Sequence, residues 1–87
     1  MNETKARILV VEDERNVAET LAERLNAAGY LVDRAASVAQ ALERVAQSAP
    51  NLVLLDVGLP DGDGFELARE LRVRAPRAAI IFLTAQA

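Results

Sequence analysis

The stretch that most constrains this chain is Leu52-Val53-Leu54-Leu55-Asp56, with the turn after it, Val57-Gly58-Leu59-Pro60-Asp61-Gly62-Asp63-Gly64. Four apolar residues in a row leave no polar face. A strand made of them needs cover on both sides, as a central strand of a parallel sheet has. Asp56 stands where that strand stops. In open α/β sheets, ligands bind outside the carboxyl ends of the strands. A lone carboxylate at that position is therefore placed to do chemistry. Gly62 and Gly64 fit the turn and the start of the next helix better than a phosphate cradle. The loop lacks the Gly-Lys-Ser/Thr of a P-loop, and no Gly-x-Gly-x-x-Gly follows the first strand, so nucleotide binding is not expected.

The rest of the chain alternates around this stretch. Ile8-Leu9-Val10-Val11 is a second apolar run and ends in Glu12-Asp13-Glu14. Val17, Ala18, Leu21, Leu25 and Ala28 recur at helical spacing, with Glu19, Glu23 and Arg24 on the wet side and Gly29 as a stop. Tyr30 to Ala35 alternates weakly and reads as an edge strand. Ser37 with Gln40 is a capping-box pattern ahead of Val38, Ala41, Leu42, Val45 and Ala46, and Pro50 closes that helix. Asp63 with Glu66 marks another helix start, Leu67, Ala68, Leu71 and Ala75 form its inner face, and Pro76 ends it. Ala78 to Leu83 is the last apolar run. The spacing predicts strands over 7–12, 30–35, 51–56 and 78–83 and helices over 15–28, 38–48 and 64–74, after a polar, frayed start.

Composition narrows the chemistry. With 87 residues the chain is one small domain. It is 52% hydrophobic and 26% charged, the balance of a globular chain. It has no apolar run of membrane-spanning length and no apolar leader, so no membrane role is expected, and with no Cys a cytoplasmic location is the default expectation. It has no Cys and no His, which excludes disulfides, thiolate metal sites and His-based acid–base catalysis within these residues. A net charge of -3 gives no general attraction to nucleic acid, and none is expected to bind.

A β-α-β-α-β-α-β order implies a parallel sheet with right-handed crossovers. The weakly apolar second strand belongs at an edge and the first and third inside, which gives a doubly wound α/β sheet of order 2-1-3-4. The first helix then lies on one face and the other two on the opposite face. The winding reverses between the second and third strands, which puts the switch point between the first and third, whose ends bring Glu12, Asp13 and Asp56 to one crevice. Three carboxylates there repel, so at least one pKa should rise. A hard divalent cation relieves that repulsion, and an all-oxygen donor set points to Mg²⁺. The Gly58 backbone carbonyl can add an oxygen. A metal-backed Asp56 can act as a nucleophile toward phosphorus. Thr84 and the Ala85 amide, at the end of the neighbouring strand, can donate to phosphoryl oxygens.

Glu12-Asp13 after strand one, Asp56-x-x-Leu59-Pro60-x-x-Asp63-Gly64, and Thr84-Ala85 after strand four resemble the receiver domain of two-component response regulators, over Arg7 to Ala85. The resemblance implies the flavodoxin-like fold, which the doubly wound strand order also fits. It implies that Asp56 accepts a phosphoryl group from the phosphohistidine of a sensor histidine kinase. It implies that Asp13, Asp56 and the Gly58 carbonyl bind Mg²⁺ directly, Glu12 mainly through water, and that Thr84 senses the phosphoryl group. It further implies a phosphoprotein that releases its own phosphoryl group, with no turnover of a separate substrate and hence no enzyme in the usual sense. Arg15, Asn16 and Glu19 on the first helix are the kinase-docking surface it implies. Leu59-Pro60-Asp61-Gly62-Asp63-Gly64 resembles receivers of winged-helix transcription regulators, so the signal would pass to an output domain outside these residues.

Receivers continue past the Thr position with a fifth strand, which carries a Lys and an aromatic switch residue, and two further helices. This chain stops at Ala87, and its only lysine, Lys5, precedes strand one. The expectation is a single, incomplete receiver over residues 1–87, truncated after the fourth strand. That strand's bare apolar edge is expected to drive self-association. The alternative function is a structural, self-associating module without phosphoryl transfer. Taken singly, Glu12-Asp13 also reads as a solvated helix start, Asp56 as a strand-end turn residue and Thr84 as structural. A third reading, a Mg²⁺-dependent phosphatase of the haloacid-dehalogenase type, needs an acid two residues after the nucleophile, where this chain has Gly58.

Overall fold

The structure, a computed structural model, describes residues 5–83. The polar start at 1–4 and the last residues, Thr84 and Ala85 among them, lie outside the described residues. The elements are β1 (Arg7–Val11), α1 (Arg15–Ala27), β2 (Leu31–Ala35), α2 (Val38–Gln47), β3 (Leu52–Asp56), the two-residue strands β4 (Gly58–Leu59) and β5 (Gly62–Asp63), α3 (Gly64–Arg74) and β6 (Ala79–Leu83).

The four long strands form one parallel sheet of order β2-β1-β3-β6, the expected 2-1-3-4 order with β6 as the fourth long strand. Val10 pairs with Leu54 and Leu54 with Ile81, which fixes the row that crosses the sheet. Asn51 ties the strand starts together. Its carboxamide oxygen accepts from the Arg7 amide at 2.7 Å, and its carbonyl accepts from the Ala79 amide at 3.0 Å.

One face of the sheet is covered by α2 and α3. Leu9, Val11, Val53 and Leu55 meet Ala41 and Val45 of α2 and Leu67, Ala68 and Leu71 of α3, with Ala75 just beyond its end, all buried. On the other face Ile8 and Val10 are buried, and α1 contributes Ala18 and Ala22. The inner stripe of α1 differs from the expected one. Val17 is 43% exposed and Ala28 is exposed, while Ala22 is buried. Small residues let α1 sit close to the strands along the Ala18–Ala22 line, four residues apart on one side of the helix, which leaves Val17 on the rim.

Local signals place the helix ends. Ser37 Oγ accepts from the Gln40 amide at 3.1 Å, and Gln40 Oε1 reaches back to the Ala36 amide at 2.8 Å. Asp63 Oδ1 accepts from the Phe65 amide at 2.8 Å and caps α3. Gly29, after α1, has φ 101, the left-handed conformation in which a side chain would be strained.

Candidate functional site

The carboxyl ends of β1 and β3 meet at the point where the chain's winding reverses. β1's hydrogen bonding runs one residue past the strand, with the Glu12 amide donating to the Ala35 carbonyl at 2.9 Å. The chain then turns into α1 within three residues. Glu12 Oε2 accepts from the Glu14 amide at 3.0 Å, and Glu14 Oε1 caps the helix by accepting from the Asn16 amide at 2.9 Å. Glu14 is thus the capping residue, and Glu12 combines a local turn contact with a place in the crevice. Asp56 is the last residue of β3.

These placements bring Glu12, Asp13 and Asp56 together, with one carboxylate oxygen from each lying within 4.8 Å of the others. Glu12 and Asp56 are half-buried and Asp13 is exposed. Burial pushes the Glu12 carboxyl above the usual range. The charges of Asp56, Asp13 and Glu14 push the same way, and the hydrogen bond from the Glu14 amide partly opposes them. The cluster therefore combines concentrated negative charge, oxygen-only donors and partial access to solvent. A hard divalent cation suits such a set. Beside it, Arg15, Arg34, Gln40 and Arg44 join Glu12 and Asp13 in lining a cleft of about 400 Å³. A second cleft of about 580 Å³ runs along the outer side of α3 and contains none of the three carboxylates.

The loop after Asp56 is more ordered than the turn expected from its Pro and Gly content. β4 and β5 pair antiparallel, Gly58 with Asp63 and Leu59 with Gly62, around Pro60-Asp61. Gly58 is the exposed first residue of this hairpin. Leu59 packs against the buried core. The Gly64 amide donates to the Val57 carbonyl at 2.8 Å and closes the loop's base. A side chain at Gly64 would collide with the Asp56 carbonyl oxygen and lie 2.9 Å from Val57 Cα. The expected role of Gly64 in starting the helix thus has a physical cause: α3 begins against the backbone at the end of β3. Asp61 has a partner that the sequence pattern does not predict. Its Oδ1 accepts from the Val38 amide at 2.7 Å and its Oδ2 from the Ala39 amide at 3.1 Å, so it reaches the first turn of α2. An Asp in a Pro-Asp-Gly turn is the available signal, but its partners lie 22 and 23 residues earlier in the chain.

Among the described residues no helix is long and apolar enough to cross a membrane. The family model for the response regulator receiver domain matches residues 8–87. The transcriptional regulatory protein CreB of Escherichia coli (strain K12) is 38% identical over 79 residues, which cover 91% of this chain and 34% of that protein. The chain thus spans about a third of that relative's length. The non-phosphorylated receiver domain of HemR from Leptospira biflexa superposes with a TM-score of 0.87 at 43% identity, covering 95% of this chain and 67% of that one. The response regulator TrrA of Thermotoga maritima, in complex with Mg²⁺ and BeF, superposes with a TM-score of 0.86 at 41% identity, covering 94% and 71%.

Proposed function

We propose a function from one premise: the chain belongs to the response regulator receiver domain family, which places it in two-component signalling. On that footing Asp56 is the phosphoacceptor. The observation that carries this reading is the meeting of Glu12, Asp13 and Asp56, with oxygens within 4.8 Å, at the switch point of the sheet. An Asp56 oxygen attacks the phosphorus of a phosphohistidine on a sensor histidine kinase. An O–P bond forms, the N–P bond breaks, and the electron pair returns to the imidazole, leaving an acyl phosphate on Asp56.

The donor set fits Mg²⁺, and TrrA carries Mg²⁺ with BeF. Asp13, Asp56 and the Gly58 carbonyl would hold the ion directly and Glu12 through water. When bound, the ion supplies charge neutralisation for the phosphoryl oxygens. Thr84 and the Ala85 amide follow β6 in sequence and are assigned as phosphoryl hydrogen-bond donors. The phosphoryl group passes to and from Asp56 with no separate substrate turned over, so the chain acts as a switch and not as an enzyme. A cytoplasmic location belongs to the same reading, as does relay to a transcriptional output domain. The match to CreB, a transcriptional regulatory protein of which these residues cover 34%, supports that last part.

A second reading is favoured by one observation. Among the described residues β6 pairs only with β3, and Ile81 on it is 51% exposed. Self-association through that edge would make the chain a structural module. Native mass spectrometry with Mg²⁺ and acetyl phosphate separates the two readings. Gain of one phosphoryl group, absent in Asp56→Asn, is expected. An unmodified oligomer under the same conditions would overturn phosphoacceptance in favour of the structural module.

A further inference from the structure

The hairpin that carries Gly58 is too small to hold its own position. β4 and β5 contribute two residues each, and an isolated two-stranded hairpin is marginal in water. Gly58 is held only through its backbone, paired with Asp63, and the space where its side chain would be is open. Contacts from outside fix the hairpin. Leu59 packs on the core, and Asp61 bonds to the start of α2. Gly62 lies flat against the same helix start, where an added Cβ would be 2.9 Å from Val38 Cγ2.

α2 has a cap of its own. Ser37 takes the Gln40 amide, and the Asp61 carboxylate takes the two amides before it, Val38 and Ala39. Each oxygen of Asp61 holds one amide at a helix N-terminus, where negative charge is favoured. Those two bonds hold the Asp61 carboxyl below the usual carboxylate range, so the contact is charged at neutral pH. The result is a bridge between the loop after β3 and an element some twenty residues earlier.

We propose that Asp61 is a positioning residue of the phosphoacceptor site: by tying the β4–β5 hairpin to α2 it holds the Gly58 carbonyl in place as a ligand for a divalent cation at Glu12, Asp13 and Asp56. The proposal rests on the reading of that cluster as a Mg²⁺ site. It assigns Asp61 no contact with the ion or the phosphoryl group. It accounts for a carboxylate in the loop that is bonded to a helix start and is not one of the three clustered carboxylates.

The test is a Mg²⁺ titration followed by NMR on the full chain. It compares the wild type with Asp61→Ala, Asp61→Asn and the double variant Asp61→Ala/Ser37→Asp. Mg²⁺ affinity should fall about tenfold in Asp61→Ala, the size typical of losing a ligand-supporting contact. Asp61→Asn keeps one acceptor oxygen and should recover part of the affinity. Ser37→Asp strengthens the helix's own cap, so the double variant should regain thermal stability without regaining affinity. Unchanged affinity in a folded Asp61→Ala overturns the proposal. So does affinity restored by Ser37→Asp, because Asp61 would then be a helix cap and nothing more. If the wild type binds no Mg²⁺, the cation reading fails. Hydrogen exchange at the Gly58, Leu59 and Gly62 amides without metal then judges the tether: faster exchange in Asp61→Ala supports it, and equal exchange overturns it.

Discussion

Leu55 and Leu54 are neighbours on β3 and live in different surroundings. Leu55 is fully buried under α2 and α3, whereas Leu54 faces the other side and is half-buried. The same contrast runs across the sheet. On the covered face Leu9, Val11, Val53 and Leu55 are all buried. On the α1 face the row Val10–Leu54–Ile81 passes from buried through half-buried to 51% exposed. The strands supply similar residues to both faces, so the difference comes from where the helices lie. α1 sits over β2 and β1, while α2 and α3 together extend their cover across the opposite face to β3. The hairpin and the start of α3 join the covered face. Asp56 shares the alternation of Leu52 and Leu54 and so stands at the end of the less covered one. The site therefore lies where a tightly packed layer meets a looser one.

The largest effect belongs to the covered face. Leu71→Ala removes a side chain with 0% exposure and should cost about 2–5 kcal/mol, a large fraction of the stability of a small domain. Leu54→Ala, on the half-buried row, should cost less than half of that. Urea unfolding of both variants checks the contrast, and equal losses would break it.

Next in size is Gly64→Ala, which asks whether tight packing reaches the site. The atoms a new Cβ would meet are the Asp56 and Val57 backbone, which cannot swing aside as a side chain can. A cost of about 1–3 kcal/mol is expected, with the chain at Asp56 displaced. Gly58→Ala, in the same loop, meets nothing within 4 Å and should leave the thermal midpoint nearly unchanged. A mild Gly64→Ala would mean that α3 starts further from β3 than the structure places it.

Much of this arrangement is legible in the sequence, for reasons that differ from part to part. The apolar runs at Ile8–Val11 and Leu52–Leu55 demand cover on both sides, and the weaker Tyr30–Ala35 run demands less. The strand order follows from that difference and from crossover handedness. The meeting of Glu12 and Asp13 with Asp56 follows from the order, because strand ends at a switch point are neighbours. The stripe of α1 was misread at Val17 because periodicity gives a helix's apolar side but not how far its partner extends. The β4–β5 hairpin was missed because two-residue strands have no period to detect. The Asp61 contact was missed because it depends on α2 and the loop being brought together, which no local pattern encodes. Thr84 and Ala85 were read from their place after the last apolar run and from the resemblance, and both lie outside the described residues.

The smallest expected effect is the sharpest probe of the loose face. Ile81→Ser exchanges a half-exposed apolar side chain for a polar one. On a face open to water this should move stability by no more than about 0.5 kcal/mol, as surface changes usually do. Protein concentration is the variable that gives the result meaning. If Ile81 faces solvent, the thermal midpoints of wild type and variant stay close at every concentration. If a second copy covers β6, mass action makes the wild-type midpoint rise with concentration, and the serine variant loses that rise. A flat pair of curves keeps the two faces as different in solution as in the structure. A rising wild-type curve would show that the loose layer gains its cover from another molecule, and it would shift the balance from phosphoacceptor switch toward structural module.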